Sequence, residues 1–401
     1  MRNALISLAL VGSVIACGSD TADPPTGTTG DALANAGPVA AQYATNVHAN
    51  YVEALAKAKA LQIAIDAFVA APSPATHEAA KAAWIAARAP YSPSEVYRFY
   101  GGPIDDEKTG PEGAINAWPL DENFIDYTVD DDGAGIVNHP ELVAQITEDA
   151  IRGENEKGGE KNISSGYHAI EFLLWGQDTD PPSMKTAGKR PHTDFVVGAG
   201  ATAKNQERRG QYLKVVAAML VADLESLVDA WAPGKDNYAK TFVADPKDAV
   251  TKMLVGIGSM ANAELSGERM TVAFKNRDQE DEHSCFSDTT NDDIEGNAKG
   301  IENVYLGKYG ASDGQGLEDL VKAVDPALDA EMKKAIADAN AALAKMKQAP
   351  FDYSISQPDG SPERDAVLAV IKAVKAEAEL IVRIGAKLGV TFELEEPSEQ
   401  L

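Results

Sequence analysis

Apolar side chains in this chain recur three and four residues apart, the spacing of one face of an α-helix, and no stretch alternates in the manner of a half-buried strand. Val250, Met253, Leu254, Ile257, Met260 and Ala261 follow this rule. So do Val367, Val370, Ile371, Val374, Ala378, Ile381 and Leu388, with Lys and Glu between them. The same period predicts helices over 39–70, 75–100, 140–151, 165–176, 202–231, 289–306 and 327–348. Proline and glycine interrupt it at Pro72, Pro181-Pro182, Pro233-Gly234 and Pro350. The fold read from this pattern is all-α and bundle-like. Ala232-Pro233-Gly234-Lys235 ends a long amphipathic stretch and divides the body into an N-terminal domain at 38–232 and a C-terminal domain at 235–395.

Charge narrows the partners. The 401 residues carry 62 acidic side chains against 36 basic ones, a formal charge of −26, which excludes a nucleic-acid binder and adsorption onto an anionic membrane surface. Membrane contact is expected at the N-terminus instead. Residues 1–17 place one arginine before an apolar run from Ala4 to Ala16, too short to span a bilayer and suited to a secretory signal. The run closes on Val14-Ile15-Ala16-Cys17, which resembles the bacterial lipobox, so Cys17 is expected to carry lipid. Polar residues 18–37 then form a flexible tether. Gly18 stands where an aspartate would signal inner-membrane retention, so the expected location is the outer membrane, facing the periplasm or the cell surface. Cys285 is left without a partner cysteine and reads as a small buried residue.

Ser165-Gly166-Tyr167-His168-Ala169-Ile170-Glu171 is the segment richest in chemistry. His168 and Glu171 lie three apart on a predicted helix, so they leave the same face and can ligate one metal ion. The same spacing also serves a helix-surface hydrogen bond or a satisfied core histidine. The wider pattern separates these readings. Gly166 to Asp178, with its Gly-x-His-x-x-Glu core, resembles the signature of the imelysin family. The resemblance extends to Trp84…Arg88-Ala89-Pro90-Tyr91…Glu95…Arg98-Phe99, to Gly102-Pro103-Ile104-Asp105, to Asn116-Ala117-Trp118-Pro119, and to Gly188-Lys189-Arg190-Pro191…Asp194-Phe195. In the second half, Ser266-Gly267-Glu268-Arg269-Met270 and the run Asp278 to Asp288 are similar to its iron-regulated branch.

The resemblance implies two all-helical domains packed against each other, with the motif near their interface, and a bacterial envelope protein linked to iron acquisition. It also carries a metallopeptidase label. A zinc peptidase usually needs a second nearby histidine, and Phe172 occupies the position where the inverted motif would place it. The expected metal ligands are His168, Glu171, Glu95 and Asp105, an oxygen-rich set that suits iron, with zinc and calcium as the other candidate ions. Arg98 follows Glu95 by one i, i+3 step and is expected to accompany it. The acidic run Asp278, Glu280, Asp281, Glu282 with His283 is expected either to complete the site from the other domain or to bind a partner or a second cation. The leading function is binding of iron, or an iron-containing ligand, for uptake together with an envelope partner. The alternatives are a metal-dependent peptidase with Glu171 as its catalytic carboxylate, and a non-catalytic partner-binding module.

Overall fold

Capping side chains fix where the long helices begin in this computed structural model, which describes residues 32–399. Helix α1 spans Ala36–Ala70 and α2 spans Pro74–Tyr91. Between them Thr76 N donates to Ser73 Oγ at 3.2 Å and Ser73 N donates to Thr76 Oγ1 at 3.0 Å. This reciprocal cap, with Pro74 at the first helical position, starts α2 afresh. Pro90 and Pro93 withhold the amide hydrogens that would carry α2 onward, and the chain tightens into a 3-10 turn at Ser92–Tyr97 instead of remaining helical to residue 100. Then follow α3 (Gly166–Trp175), α4 (Gln206–Trp231) and α5 (Pro246–Ser259). Helix α5 runs directly into a π-helical segment, Met260–Thr271. Helices α6 (Thr290–Leu306), α7 (Pro326–Met346), α8 (Phe351–Ser356) and α9 (Pro362–Leu388) follow, with a short helix, Leu317–Val324, between α6 and α7. The β-structure among the described residues is one pair of two-residue strands, Lys308–Tyr309 and Ser312–Asp313.

The helix expected over 140–151 does not form. Short helices Gly135–Asn138 and Glu148–Glu154 flank a loop there. Pro140 supplies no amide hydrogen, and the Arg208 guanidinium, already bonded to the carbonyls of Ile136 and Val137, donates to those of Val143 and Ala144 at 2.8 and 3.2 Å. Those carbonyls are therefore satisfied without a helix.

Helix α1 packs against α2 and α4 from the first half, and also against α5 and the short helix Tyr238–Ala244 beyond the turn at 232–237. The described residues accordingly belong to one compact unit. Helix α9 lies on α7, α5 and the π-helical segment, while α6 packs on α2 and on the 3-10 turn. The last approach is close: a Cβ at Gly300 would stand 2.5 Å from the Pro93 carbonyl oxygen. Helix α3 is held between α2 and α4, every one of its residues buried. Trp84 Nε1 donates to the Tyr167 carbonyl at 2.9 Å and pins its first turn. Among the described residues no helix is long and apolar enough to cross a membrane. The expected signal segment, Cys17 and residues 18–31 of the tether lie outside the described residues.

The glycine of Gly-x-His-x-x-Glu has a steric reason. Gly166 adopts φ +88°, and a Cβ there would stand 2.5 Å from the Ile115 carbonyl oxygen. Gly166→Ala should therefore cost about 2 kcal/mol or more in urea unfolding. Gly153→Ala, on an exposed helical face with nothing within 4 Å, should leave stability unchanged or raise it.

Candidate functional site

His168 and Glu171 stand one turn apart on α3, both fully enclosed, with His168 Nδ1 at 2.9 Å from Glu171 Oε2. The other Glu171 oxygen accepts from Ser287 N at 2.9 Å and Ser287 Oγ at 2.7 Å. On the far side of the His168 ring, its Nε2 faces Nε2 of His283 at 3.2 Å. His283 Nδ1 in turn lies 2.9 Å from Asp293 Oδ2, which also accepts from Ser284 Oγ. Asp293 Oδ1 accepts from Arg88 Nη2 at 2.7 Å and Arg88 Nε at 3.1 Å. The result is a buried row, Glu171–His168–His283–Asp293–Arg88, drawn from α3, the loop after the π-helical segment, α6 and α2. Trp118 covers the two imidazoles, with ring centroids at 5.1 and 6.2 Å.

Burial pushes both histidines below their ordinary range, His168 further, with the neighbouring imidazole and then the Arg88 charge adding to it. Both rings are neutral near pH 7. Burial raises Glu171 to about 8, since its hydrogen bonds from Ser287 only partly offset desolvation. Burial alone would raise Asp293 too, but the Arg88 charge and the hydrogen bonds from His283 and Ser284 hold it well below the carboxylate range. One proton arrangement satisfies every contact. Glu171 O–H donates to His168 Nδ1, His168 Nε2–H to His283 Nε2, and His283 Nδ1–H to ionised Asp293. With Glu171 ionised, both Nδ1–H groups donate to carboxylates and two Nε2 lone pairs converge. Two nitrogens bound at ordinary lengths to one tetrahedral ion would be about 3.3 Å apart, close to the 3.2 Å observed. Among the described residues no group of three or more His, Cys, Asp or Glu side chains surrounds a common metal position. The chain thus offers two imidazole nitrogens, each backed by a carboxylate, and an incomplete sphere.

A cleft of about 740 Å³ opens onto His283 and Trp118, its walls carrying eight carboxylate side chains against Arg98, Lys161 and Arg269. Of the acidic run at 278–283, Glu280 and Asp281 line this cleft. Asp278 spends its carboxylate capping Glu280 N at 3.1 Å. Glu282 is buried next to Asp352 and Asp288.

Glu95 and Asp105 are not placed as ligands beside His168. Glu95 is fully buried but accepts from Arg269 Nη2 at 2.5 Å, Asn116 Nδ2 at 2.9 Å and Asn297 Nδ2 at 3.1 Å, so both oxygens are engaged. Asp105 closes its own turn, accepting from the backbone amides of Phe99, Tyr100 and Gly102 at 2.5, 3.2 and 2.7 Å. Arg98 pairs with Glu112 at 3.2 Å and Glu264 at 3.6 Å rather than with Glu95, because it leaves the 3-10 turn in extended conformation. Asp293, Ser287 and Trp118 were not singled out from the sequence as part of the site. Asp293 lies ten residues beyond His283 in the first turn of α6, and no local spacing marks it.

Comparisons with known proteins identify the family and the fold. The family model described as Imelysin, which also bears a peptidase label, matches residues 47–379. Iron-regulated protein A of Synechococcus elongatus is 25% identical over 345 residues, covering 83% of this chain and 81% of that protein. A crystal structure from Parabacteroides distasonis, provisionally named an iron-regulated protein A precursor, superposes with a TM-score of 0.67 at 21% identity, covering 88% of this chain and 95% of the other. An imelysin-like protein from Psychrobacter arcticum gives a TM-score of 0.58 at 14% identity, over 88% and 96% of the two chains.

The proton on Glu171 has a measurable consequence. Between an ordinary value of 4.5 and about 8, the folded chain holds a proton on Glu171 that the unfolded chain has released. Stability therefore falls as pH rises across that window. In Glu171→Gln the amide replaces the protonated carboxyl, donating to His168 Nδ1 and accepting from Ser287. Its unfolding free energy, measured without metal in urea at pH 5, 6.5 and 8, should decline less steeply than that of the wild type.

Proposed function

This chain belongs to the imelysin family, and on that footing we propose that it binds iron, presented as a complex that brings some of its own ligands, through the facing Nε2 atoms of His168 and His283. The paired imidazoles carry the proposal. Each is oriented at Nδ1 by a carboxylate, as metal-bound histidines are, and their Nε2 atoms meet at 3.2 Å. A core histidine of purely structural role needs no such convergence. Imidazole accepts iron as well as zinc; the name of the cyanobacterial relative supports iron. The cleft that opens onto His283 also carries Arg98 and Arg269, whose Nε–H groups keep no acceptor and suit oxygen-donor ligands on the bound iron. The excess of carboxylates around them favours approach of a cation. We place this activity in iron uptake at the bacterial envelope, with the chain held to the outer membrane through lipid on Cys17 and passing iron to an envelope partner.

The peptidase reading fits the side chains less well. Water activation by a zinc site needs a carboxylate on the open side of the ion. Glu171 stands behind His168, on its Nδ1 side, with both oxygens engaged.

Titrating the purified mature protein with ferrous iron, ferric citrate and zinc tests the proposal. His168→Ala and His283→Ala should each weaken iron binding about tenfold or more. Glu171→Gln should do the same while remaining folded, because its amide fixes the His168 hydrogen on Nε2. Equal affinity in all four proteins would overturn the assignment. Chelator-sensitive cleavage of unfolded polypeptide that vanishes in Glu171→Gln would favour the peptidase. In cells, Cys17→Ser should move the protein from the membrane fraction to the soluble one.

A further inference from the structure

After α9 the chain turns at Gly389, φ +72°, and residues 391–399 run without helix or strand across α9, α5 and the π-helical segment. Phe392, Leu394 and Pro397 are half-buried, while Thr391, Glu393, Glu395 and Glu396 between them are exposed. Each inward side chain sits where a glycine makes room. A Cβ at Gly385 on α9 would stand 2.3 Å from Phe392 Cε1, and one at Gly258 on α5 would stand 2.5 Å from Leu394 Cδ2. At Gly267, in the π-helical segment, it would stand 2.6 Å from Pro397 Cβ. Polar contacts fall between these notches. Glu395 N donates to Ser259 Oγ at 3.1 Å, and Asn262 Nδ2 donates to the Glu395 carbonyl at 2.8 Å. Ser398 donates through N and Oγ to the two Glu268 oxygens at 2.7 and 2.8 Å, and Lys275 pairs with Glu399.

The strap grips the part of the chain that walls the cleft. Glu264, Glu268 and Arg269 of the π-helical segment all line it, and Arg269 Nη2 also holds Glu95 at 2.5 Å and Glu264 at 2.8 Å. Backbone bonds in this segment reach five residues back, as from Val272 N to the Gly267 carbonyl. Turns of this kind are rare and concentrate at functional sites. A slip of one residue in helical register rotates every following side chain by about 100°, enough to carry Arg269 off both carboxylates. The Glu95–Arg269 pair opposes that slip from inside the molecule. The strap opposes it from outside, filling the notch at Gly267 and binding Glu268, the residue before Arg269. Its own hold is light, because its outward residues and its contacts at Ser398 and Glu399 are exposed, so it can open while the body stays folded.

We propose that residues 391–399 are a latch on the cleft wall. Docked, they hold the π-helical segment in the register that places Glu268 and Arg269. Undocked, they free that wall, and the bound iron complex leaves the cleft faster. The release step rests on the reading of the cleft as an iron site; the coupling of strap to wall does not.

Two variants release the strap. One ends the chain at Val390. The other, Gly267→Ala with Gly385→Ala, keeps every residue but adds Cβ atoms that clash with Pro397 and Phe392 only, and it carries the test if the shortened chain does not fold. Amide hydrogen exchange over residues 260–272 should quicken about tenfold or more in both, with exchange in α4 unchanged. Hydroxyl-radical labelling of Trp118, which also lines the cleft, should rise about twofold. Ferric iron loaded as its citrate should pass to excess chelator about fivefold faster or more. Unchanged exchange over 260–272 in a folded variant, or faster exchange with unaltered Trp118 labelling and iron release, would overturn the latch. If the wild type binds no iron, the histidine reading falls, and exchange and labelling still decide whether the strap holds the wall.

Discussion

Arg88 on α2 and Asp293 on α6 meet in a buried ion pair, with Nη2 to Oδ1 at 2.7 Å, and the candidate site is assembled around it. Each partner buries a charge that water cannot reach, so removing either would strand the other at a cost of about 3–5 kcal/mol. The rings of Tyr167, Tyr91 and Trp84 surround the guanidinium at 5.0, 5.6 and 5.9 Å, adding cation–π attraction while keeping solvent out. The second Asp293 oxygen fixes His283 and Ser284. The remaining Arg88 nitrogen holds Asn116, which donates to Glu95, which accepts from Arg269. One pair thus ties α2, α6, the 3-10 turn and the π-helical segment together, and the position of His283 opposite His168 follows from it.

This explains why the fold was more legible in the sequence than the site. Helical period, Ser73-Pro74, Gly176 and the prolines act within a few residues, so most helices emerge within four residues of their expected ends. The helix over 140–151 failed because the carbonyls of Val143 and Ala144 are claimed by Arg208, more than sixty residues away. His168 and Glu171 were legible because one α-helical turn holds both. His283 was visible only as part of an acidic run, since its partner His168 lies 115 residues earlier. The partners of Glu95 were hidden for the same reason: the arginines beside it are Arg88 and Arg269, outside its own turn.

The buried carboxylates fall into two electrostatic classes. Asp126, Glu95 and Asp293 are held ionised by arginine below their ordinary range, although burial opposes it. They are fixed struts that stay ionised at neutral pH. Glu171, Asp288 and Asp352 have no such partner and rise to about 8, 6 and 6. Their charge is conditional. Each holds or releases a proton according to pH.

The loop between residues 277 and 289 lies between these two classes and faces both. His283 and Ser287 turn toward His168 and Glu171, whereas Glu282 and Asp288, their immediate neighbours in sequence, turn toward Asp352. Adjacent residues of one short loop cannot shift independently, because each backbone unit has only two soft torsions. The convergence of the two imidazoles is then a property of the whole loop. Its precision is set jointly by the Arg88–Asp293 pair at one end and by whatever charge balances Asp288 and Asp352 at the other.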